Sequence, residues 1–272
     1  MCSTKRGTFL LHDDMAAINL NFVQDVCYQG LFSLDTALLE GKAAGLKVFG
    51  DWDTIYPALK DLPPKAKQSW FAFDHYYSDH AFPQLLPLVF AHKPSHLVDI
   101  GGNTGKWALS CCDYDTNIEV TIMDYPGQLE VATQNAIARG VAARVHTFAT
   151  DLLDDTLPFV DGADTYWMSQ FLDCFSTSQI LSILQRTAKA MTPNSQLFIV
   201  ETFWDRQPSA ASAYCVNATS LYFSAMANGN SRMYHSKDLL ALLHQVGLYV
   251  DEDTDNLGLG HPLLRCKLKP YV

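Results

Sequence analysis

A glycine-rich segment, residues 101–105 (GGNTG), follows an apolar run and precedes a stretch of helical character. Glycines between a strand and a helix let the backbone turn tightly and approach a ligand closely. The spacing of Gly101, Gly102 and Gly105 differs from the G-x-G-x-x-G pattern, which argues against a nicotinamide dinucleotide. Asp99 precedes the loop and could accept hydrogen bonds within it or contact a ligand through water. The pattern predicts a small-ligand loop, with a plain strand-to-helix turn as the alternative.

Two carboxylates stand at or just beyond the ends of the next two apolar segments. Asp124 ends residues 118–124 (IEVTIMD). A carboxylate there is placed to accept both hydroxyl groups of an adenosine ribose. Asp151 follows residues 144–149, and it either contacts the adenine side of such a ligand or serves as a turn or cap residue. Together with the glycine loop, Asp124 indicates a nucleoside-type ligand.

Seven strand-like segments must position these residues. They cover residues 97–101, 118–124, 144–149, 163–168, 196–202, 248–252 and 263–269. Helical patterns separate the first six, and apolar strands that alternate with helices predict a parallel sheet covered on both faces. About ten residues join the last two segments, too few for a helical crossover. We therefore predict a doubly wound, seven-stranded α/β sheet with a terminal antiparallel hairpin.

The first quarter of the chain has a different pattern, with interrupted helical segments that end at Pro63 and Pro64. We predict a helical N-terminal region over residues 1–70 and a second domain over residues 71–272. Of the 272 residues, 48% are hydrophobic, enough to bury a sizeable core and to exclude global disorder. The formal net charge of −10 and the lack of a Lys/Arg block argue against nucleic-acid and anionic-membrane partners.

Seven cysteines are scattered along the chain, and none forms a C-x-x-C pair. This argues against a zinc site and against a disulfide framework. No uninterrupted apolar run reaches the ~18–20 residues of a membrane helix, and the N-terminus lacks a signal-peptide core. We expect a cytoplasmic protein with free thiols and no bound metal.

These features together resemble the S-adenosylmethionine-dependent methyltransferases. More narrowly, they are similar to the small-molecule O-methyltransferases that include caffeic acid, isoflavone and hydroxyindole enzymes. The matching stretches are VDIGGNTG (98–105), MDYPGQLE (123–130), ATDLL (149–153) and FIVETFWD (198–205). The resemblance implies a Rossmann-like fold, S-adenosylmethionine as cofactor and methyl transfer to a small aromatic hydroxyl compound. It also implies a homodimer, in a chain that lacks the start of the family's N-terminal dimerisation domain.

The cofactor contacts that the resemblance implies come from the glycine loop and from the residues that follow the first four strands. The loop would surround the methionine part of the cofactor. Asp124 would hold the ribose, and Asp151 with Leu152 would flank the adenine. The expected cofactor-binding residues are Asp99, Gly101, Gly102, Gly105, Asp124, Asp151, Leu152 and Ser169.

The expected catalytic position departs from the family pattern. The family has a histidine base after the fourth strand, where this chain has Asp173, and Glu201 occupies the position that steadies the base. A free carboxylate has a pKa of ~3.9 and a phenol of ~10, so full proton transfer is uphill by ~6 units, or ~8 kcal/mol. Burial could raise the pKa of Asp173, the substrate could be unusually acidic, or Asp173 could only orient it. A helix-end carboxylate with no catalytic role is the remaining interpretation.

The resemblance also gives substrate contacts. The expected residues are His75, His80, Phe171, Trp204 and Asn228. The two histidines are alternative bases, although a packing or surface role is the more common one for each, and aromatic side chains of this kind more often belong to the core. Because the family histidine is missing, a catalytically inactive methyltransferase-like binding subunit is an alternative function. Another is different chemistry on the same cofactor, such as N-methylation or hydroxylation.

Overall fold

The computed structural model describes residues 4–270, without the side chains of residues 6, 9 and 11. Within this range the α-helices are α1 (Lys5–His12), α2 (Asp14–Phe22), α3 (Leu34–Glu40), α4 (Pro64–Phe90), α5 (Lys106–Tyr114), α6 (Pro126–Arg139), α7 (Thr177–Ala190), α8 (Ala210–Ala218), α9 (Ser220–Tyr222) and α10 (Ser236–Gln245). The strands are β1 (His96–Ile100), β2 (Glu119–Asp124), β3 (Val145–Ala149), β4 (Thr165–Ser169), β5 (Gln196–Val200), β6 (Leu248–Leu257) and β7 (His261–Leu268). None of these helices is long and apolar enough to cross a membrane.

The chain divides into two compact units. The first comprises Met1–His80 with Ala218–Arg232, and the second comprises Ala81–Asn217 with Met233–Val272. The sequence placed a single boundary after residue 70. Local sequence pattern does not reveal that Ala218–Arg232 joins the first unit, because that association depends on tertiary contacts.

The first unit is helical, as expected from the sequence, and its helices are short. Aromatic side chains join its segments: the rings of Phe22 and Phe73 stack with centroids 4.1 Å apart. The indole N–H of Trp70 donates a hydrogen bond of 2.7 Å to the Tyr222 hydroxyl. Because its N–H group has a hydrogen-bond partner, the large indole ring can pack against the protein at little cost in free energy. Residues 220–222 therefore belong to this unit although they lie far along the chain.

The second unit contains the predicted seven-stranded sheet, in the order β3-β2-β1-β4-β5-β7-β6. Strands β1 to β5 pair in parallel, and β7 pairs antiparallel with both β5 and β6. The terminal hairpin is confirmed. Strand β6 continues to Leu257, five residues beyond its expected end, so that residues 258–260 alone form the turn.

Both faces of the sheet are covered, because alternate residues of each strand point to opposite sides. Tyr166 and Met168 of β4 pack in the core that contains α7. Trp167, which lies between them, faces the core that contains α5, where its ring stacks on Trp107 with centroids 3.8 Å apart. Helix α7 begins with a capping box, in which Ser176 and Gln179 bond reciprocally to each other's backbone.

Candidate active site

The predicted cofactor residues of the second unit gather at the carboxyl ends of the parallel strands. Strands β2 and β3 lie on one side of β1, and β4 and β5 lie on the other. The chain therefore changes direction between β1 and β4, and open α/β sheets bind ligands at such a switch point. The 101–105 loop leaves β1 at this position. The fold thus places the strongest sequence motif where a ligand site is expected.

The glycine loop has no room for a side chain at Gly101 or Gly102. Gly101 has φ of +74°, and its N–H donates to the carbonyl oxygen of Met123 at 2.8 Å. A Cβ built on Gly101 would lie 2.3 Å from the Phe171 ring, and one on Gly102 would lie 2.5 Å from Asp99 Oδ2. Distances below 3.0 Å do not occur for real Cβ atoms. Gly101 and Gly102 are therefore required by close packing within the protein.

Asp124 and Asp151 are held by backbone N–H groups and by a tyrosine. Asp124 Oδ2 accepts the Asn103 N–H at 2.8 Å, and its Oδ1 accepts the Tyr125 N–H at 2.6 Å. The Tyr125 hydroxyl donates to Asp151 Oδ1 at 3.1 Å. Each oxygen of Asp124 keeps a second lone pair for a donor such as a ribose hydroxyl. Tyr125 links the two carboxylates, a contact that the sequence did not suggest.

Asp99 is the most perturbed carboxyl of this group. It is 2% exposed, and its Oδ2 has no hydrogen-bond partner within the described residues. Burial, and then the nearby charge of Asp124, raise the pKa of Asp99 to about 8. The buried Oδ1 of Asn103, on the same loop, also lacks a partner. Buried polar atoms without partners are uncommon, and both oxygens could accept hydrogen bonds from a bound group.

These residues fit the S-adenosylmethionine that the resemblance implies. The cofactor carries ribose hydroxyls, which could donate hydrogen bonds to Asp124. It also carries an ammonium group, which could donate to the unpartnered oxygens of Asp99 and Asn103. Gly101 and Gly102 hold the start of the loop close to Phe171 and Asp99. Within the described residues, no group of three or more His, Cys, Asp or Glu side chains could hold a metal ion.

The Asp99→Asn variant should gain stability relative to the wild type as the pH rises. The folded pKa of about 8 exceeds the unfolded value of 3.8, so wild-type stability falls as the pH climbs between them. Asparagine stays neutral and escapes this loss. We expect the difference in unfolding free energy between Asp99→Asn and the wild type to change by about 4 kcal/mol between pH 5 and pH 8. Urea unfolding at both pH values measures it; a change equal to that of the exposed control Asp51→Asn would contradict the burial argument.

Helix α7 holds the segment that carries Asp151 and Leu152. The Arg186 guanidinium donates hydrogen bonds to the carbonyl oxygens of Leu152 and, at 2.8 Å, Asp154. It also lies over the Phe159 ring, 4.5 Å from the centroid. Arg186 is thus a positioning residue for this segment. No sequence signal identified it, since it stands more than thirty residues away in an ordinary helical pattern.

The structure brings Asp173 and Glu201 together. Asp173 lies half-buried in a 3-10 turn, Leu172–Cys174, after β4, and burial raises its pKa to about 6. Glu201 directly follows β5, is 3% exposed, and accepts the N–H groups of Phe171 and Leu172. Burial, and then Asp173, raise the pKa of Glu201 well above its usual value. Both side chains line one cavity of about 10 Å³, room for roughly one water molecule.

Three other predicted residues of the second unit lie near these strand ends. Ser169 is the last residue of β4 and is half-buried. Phe171 is buried, with its ring against Gly101. Trp204 is half-buried and meets the His235 ring edge-on, with centroids 5.0 Å apart. The two aromatic rings therefore have packing roles of their own, and their substrate contacts stay predictions.

The remaining predicted substrate residues belong to the first unit. His80 Nδ1 donates to the Tyr76 carbonyl oxygen at 2.7 Å, because that oxygen can only accept. His75 Nε2 lies 3.9 Å from Asp74 Oδ2. Asn228 is buried, and its side-chain oxygen accepts the N–H groups of Asn230 and Ser231. Asn228 therefore shapes a turn within its own unit.

Comparison with known proteins identifies the chain's relatives. The model of the family described as O-methyltransferase domain matches residues 83–248. A mitomycin biosynthesis 6-O-methyltransferase of Streptomyces lavendulae is 29% identical over 154 residues, 57% of this chain and 42% of that protein. A 3-hydroxy-5-methyl-1-naphthoate 3-O-methyltransferase of Streptomyces sahachiroi is 27% identical over 126 residues, 46% of this chain and 36% of that protein. The matches thus span less than half the length of these relatives.

Solved structures share the fold. A mitomycin 7-O-methyltransferase superposes with a TM-score of 0.75 at 22% identity, covering 97% of this chain and 76% of that one. An O-methyltransferase from neocarzinostatin biosynthesis, in complex with S-adenosylmethionine and 2-hydroxy-5-methyl naphthoic acid, gives a TM-score of 0.70 at 17% identity. It covers 97% of this chain and 73% of that one. At these identities the likeness concerns the fold.

Proposed function

This chain belongs to the O-methyltransferase domain family, and we propose that it uses S-adenosylmethionine to methylate a hydroxyl group of a small aromatic compound. The observation that carries the proposal is the crowded glycine loop beside Asp99 and Asp124 at the carboxyl edge of the sheet. When bound, the cofactor supplies an electrophilic methyl group, which a substrate oxygen takes as the carbon–sulfur bond breaks and its electron pair returns to sulfur. Gly101, Gly102 and Gly105, with Asp151, Leu152 and Ser169, complete the proposed cofactor contacts.

Asp173 is the proposed acceptor of the hydroxyl proton. Its pKa of about 6 leaves ~4 units to an ordinary phenol, or ~5 kcal/mol, compared with ~8 kcal/mol for a free carboxylate. For a hydroxyl that a neighbouring carbonyl or quinone group makes more acidic, the free-energy cost of this proton transfer would be much smaller. The names of the relatives, which act on a hydroxynaphthoate and in mitomycin biosynthesis, support an aromatic substrate of this kind. Orientation of the two reactants would supply the rest of the acceleration.

A panel of acidified phenols, incubated with labelled S-adenosylmethionine, tests the proposed reaction. We expect label on an aromatic oxygen, identified by product mass and fragmentation. Label on nitrogen would replace O-methylation with N-methylation, and an added oxygen atom would indicate hydroxylation. Cofactor binding without any product would favour a methyltransferase-like binding subunit. Contacts of His75, His80 and Asn228 with the substrate stay predictions.

We also propose that the first unit mediates a homodimer. It exposes large apolar side chains close together in sequence, with Phe32 79% and Leu39 87% exposed, and Leu38 and Tyr28 also exposed. Apolar surfaces of this kind commonly mark interaction sites. A cytoplasmic setting is also proposed, since the buried cysteines Cys27, Cys111, Cys112 and Cys266 are free thiols.

The Leu39→Glu variant should shift the protein from dimer to monomer at micromolar concentration. A carboxylate at the centre of an apolar interface must lose its hydration without gaining a partner. The substitution should therefore raise the dissociation constant of the dimer by tenfold or more. Light scattering coupled to size exclusion measures the mass. The control is Tyr214→Glu in the second unit, whose ring is 76% exposed. A wild-type monomer, or equal effects of the two variants, would remove the proposal.

A further inference from the structure

Glu201 has one carboxyl oxygen tied to the backbone and one without a partner. Its Oε1 accepts the N–H groups of Phe171 at 3.0 Å and Leu172 at 2.6 Å. Its Oε2 is buried and has no hydrogen-bond partner within the described residues. A buried carboxylate that lacks a compensating charge takes up a proton, because an isolated charge costs far more in the interior than a neutral acid.

No described cation compensates Glu201 in the cavity that it lines. The polar side chains around the cavity are Asp173, Glu201, Thr202 and Tyr234, and the others are leucine, isoleucine and phenylalanine. The Tyr234 hydroxyl donates to the carbonyl oxygen of Phe175 at 2.6 Å. Cys174 Sγ lies 3.5 Å from Asp173 Oδ1. The titratable groups that face the pair are thus a phenol and a thiol, and neither brings positive charge.

We infer that Glu201 is a neutral carboxylic acid that shares one proton with Asp173, and that this pair accepts the proton of an acidified aromatic hydroxyl. The sharing runs directly or through one water in the 10 Å³ cavity. The second half of the inference rests on the proposed function, and the first half does not. Two carboxyls that line one small cavity cannot readily both ionise, so their protons leave in two separated steps. The raised pKa values of both groups agree with this.

The shared proton gives each carboxyl a distinct role. Glu201 stays protonated and holds the turn through its two backbone N–H contacts, which makes it a positioning residue. Asp173 carries the single negative charge of the pair. When the substrate O–H bond breaks, its proton joins Asp173, and the pair holds two protons until one returns to solvent. A base of this strength favours hydroxyls that are more acidic than a simple phenol.

Infrared and carboxyl-¹³C NMR spectra of the protein alone, without cofactor or substrate, test the pair. At pH 7 we expect a carboxylic-acid carbonyl signal that disappears in Glu201→Gln and remains in the exposed control Glu130→Gln. Glutamine keeps an oxygen for the two backbone N–H groups, so the fold should survive. Because the pKa of Asp99 is raised to about 8, Asp99 should give a second acid signal, which Asp99→Asn identifies. In Glu201→Gln the titration midpoint of Asp173 should stay within about half a pKa unit of its wild-type value, because a neutral amide replaces a neutral acid.

Asp173→Asn provides the reciprocal measurement on an intact Glu201. Removing the negative partner should lower the Glu201 midpoint by about one unit or more, a tenfold change in its ionisation constant. If no acid signal depends on Glu201 at pH 7, or if Glu201→Gln lowers the Asp173 midpoint by more than a unit, Glu201 is ionised and the inference is wrong. If the spectra show the shared proton but the phenol panel gives no methylated product, the proposed function is contradicted and the first half of the inference stands.

Discussion

The Asp173→Asn variant should transfer methyl groups about 10²–10⁴-fold more slowly than the wild type, with the fold and the cofactor affinity preserved. Asparagine keeps the size of aspartate and one hydrogen-bonding oxygen, but it cannot take a proton. Since the pKa of Asp173 is raised to about 6, the wild-type rate should fall as the pH drops through that value, when the carboxylate becomes protonated. The variant should lack this dependence.

Single-turnover rates for Asp173→Asn and Asp173→Ala separate a base from an orienting group. A severe loss in both variants indicates a base, whereas a mild loss in the first and a severe loss in the second indicates orientation. The exposed control Asp161→Asn should retain the wild-type rate. Full activity in both Asp173 variants would make this side chain a helix-end carboxylate, and His75 and His80 would be the next candidates.

A single methyl group added at Gly101 should weaken cofactor binding about 10- to 100-fold. The Cβ of Gly101→Ala would lie 2.3 Å from the Phe171 ring, so the loop or the ring must move. Overpacking of this kind costs about 1–3 kcal/mol, and the left-handed backbone adds about 1–2 kcal/mol. Because the loop is the proposed contact with the methionine part of the cofactor, its displacement should appear directly as lost affinity.

Gly140→Ala is the matched control for this experiment. Gly140 has φ of +73°, almost the same as the +74° of Gly101, yet a Cβ there would meet nothing within 4 Å. The two variants therefore share the backbone strain and differ in crowding. Calorimetric titration with S-adenosylhomocysteine should show wild-type affinity for Gly140→Ala. Equal losses in the two variants, or none in Gly101→Ala, would mean that the loop does not contact the ligand.

The parts of this molecule that could be predicted from sequence are those determined by local pattern. The sheet followed from apolar strands separated by helices, and the hairpin followed from the short connection before β7. The glycine loop and Asp124 were recognisable because the backbone turn and the strand end lie next to each other in the chain. Helix α7 carries a local signal as well, the capping-box spacing of Ser176 and Gln179.

Features that depend on distant contacts were not predictable. Arg186 supports the segment after β3 from another helix, and the Tyr125 hydroxyl reaches Asp151 across two strand ends. The association of Ala218–Arg232 with the first unit is likewise tertiary. At α10, Ser236 is the residue type typical of an N-cap, yet His235 caps the helix one residue earlier, while Ser236 donates to Asp205. A single-residue shift of this kind depends on which acceptor the fold brings near.

Binding of S-adenosylhomocysteine to the wild-type chain tests the central claim most directly. Isothermal calorimetry should show one molecule bound per chain, and the melting temperature should rise with ligand concentration, because the ligand binds the folded state. NAD should produce neither effect, since the glycine spacing differs from that of dinucleotide sites. If S-adenosylhomocysteine and S-adenosylmethionine both give no binding heat and no shift in melting temperature, this chain is not a methyltransferase of the proposed kind.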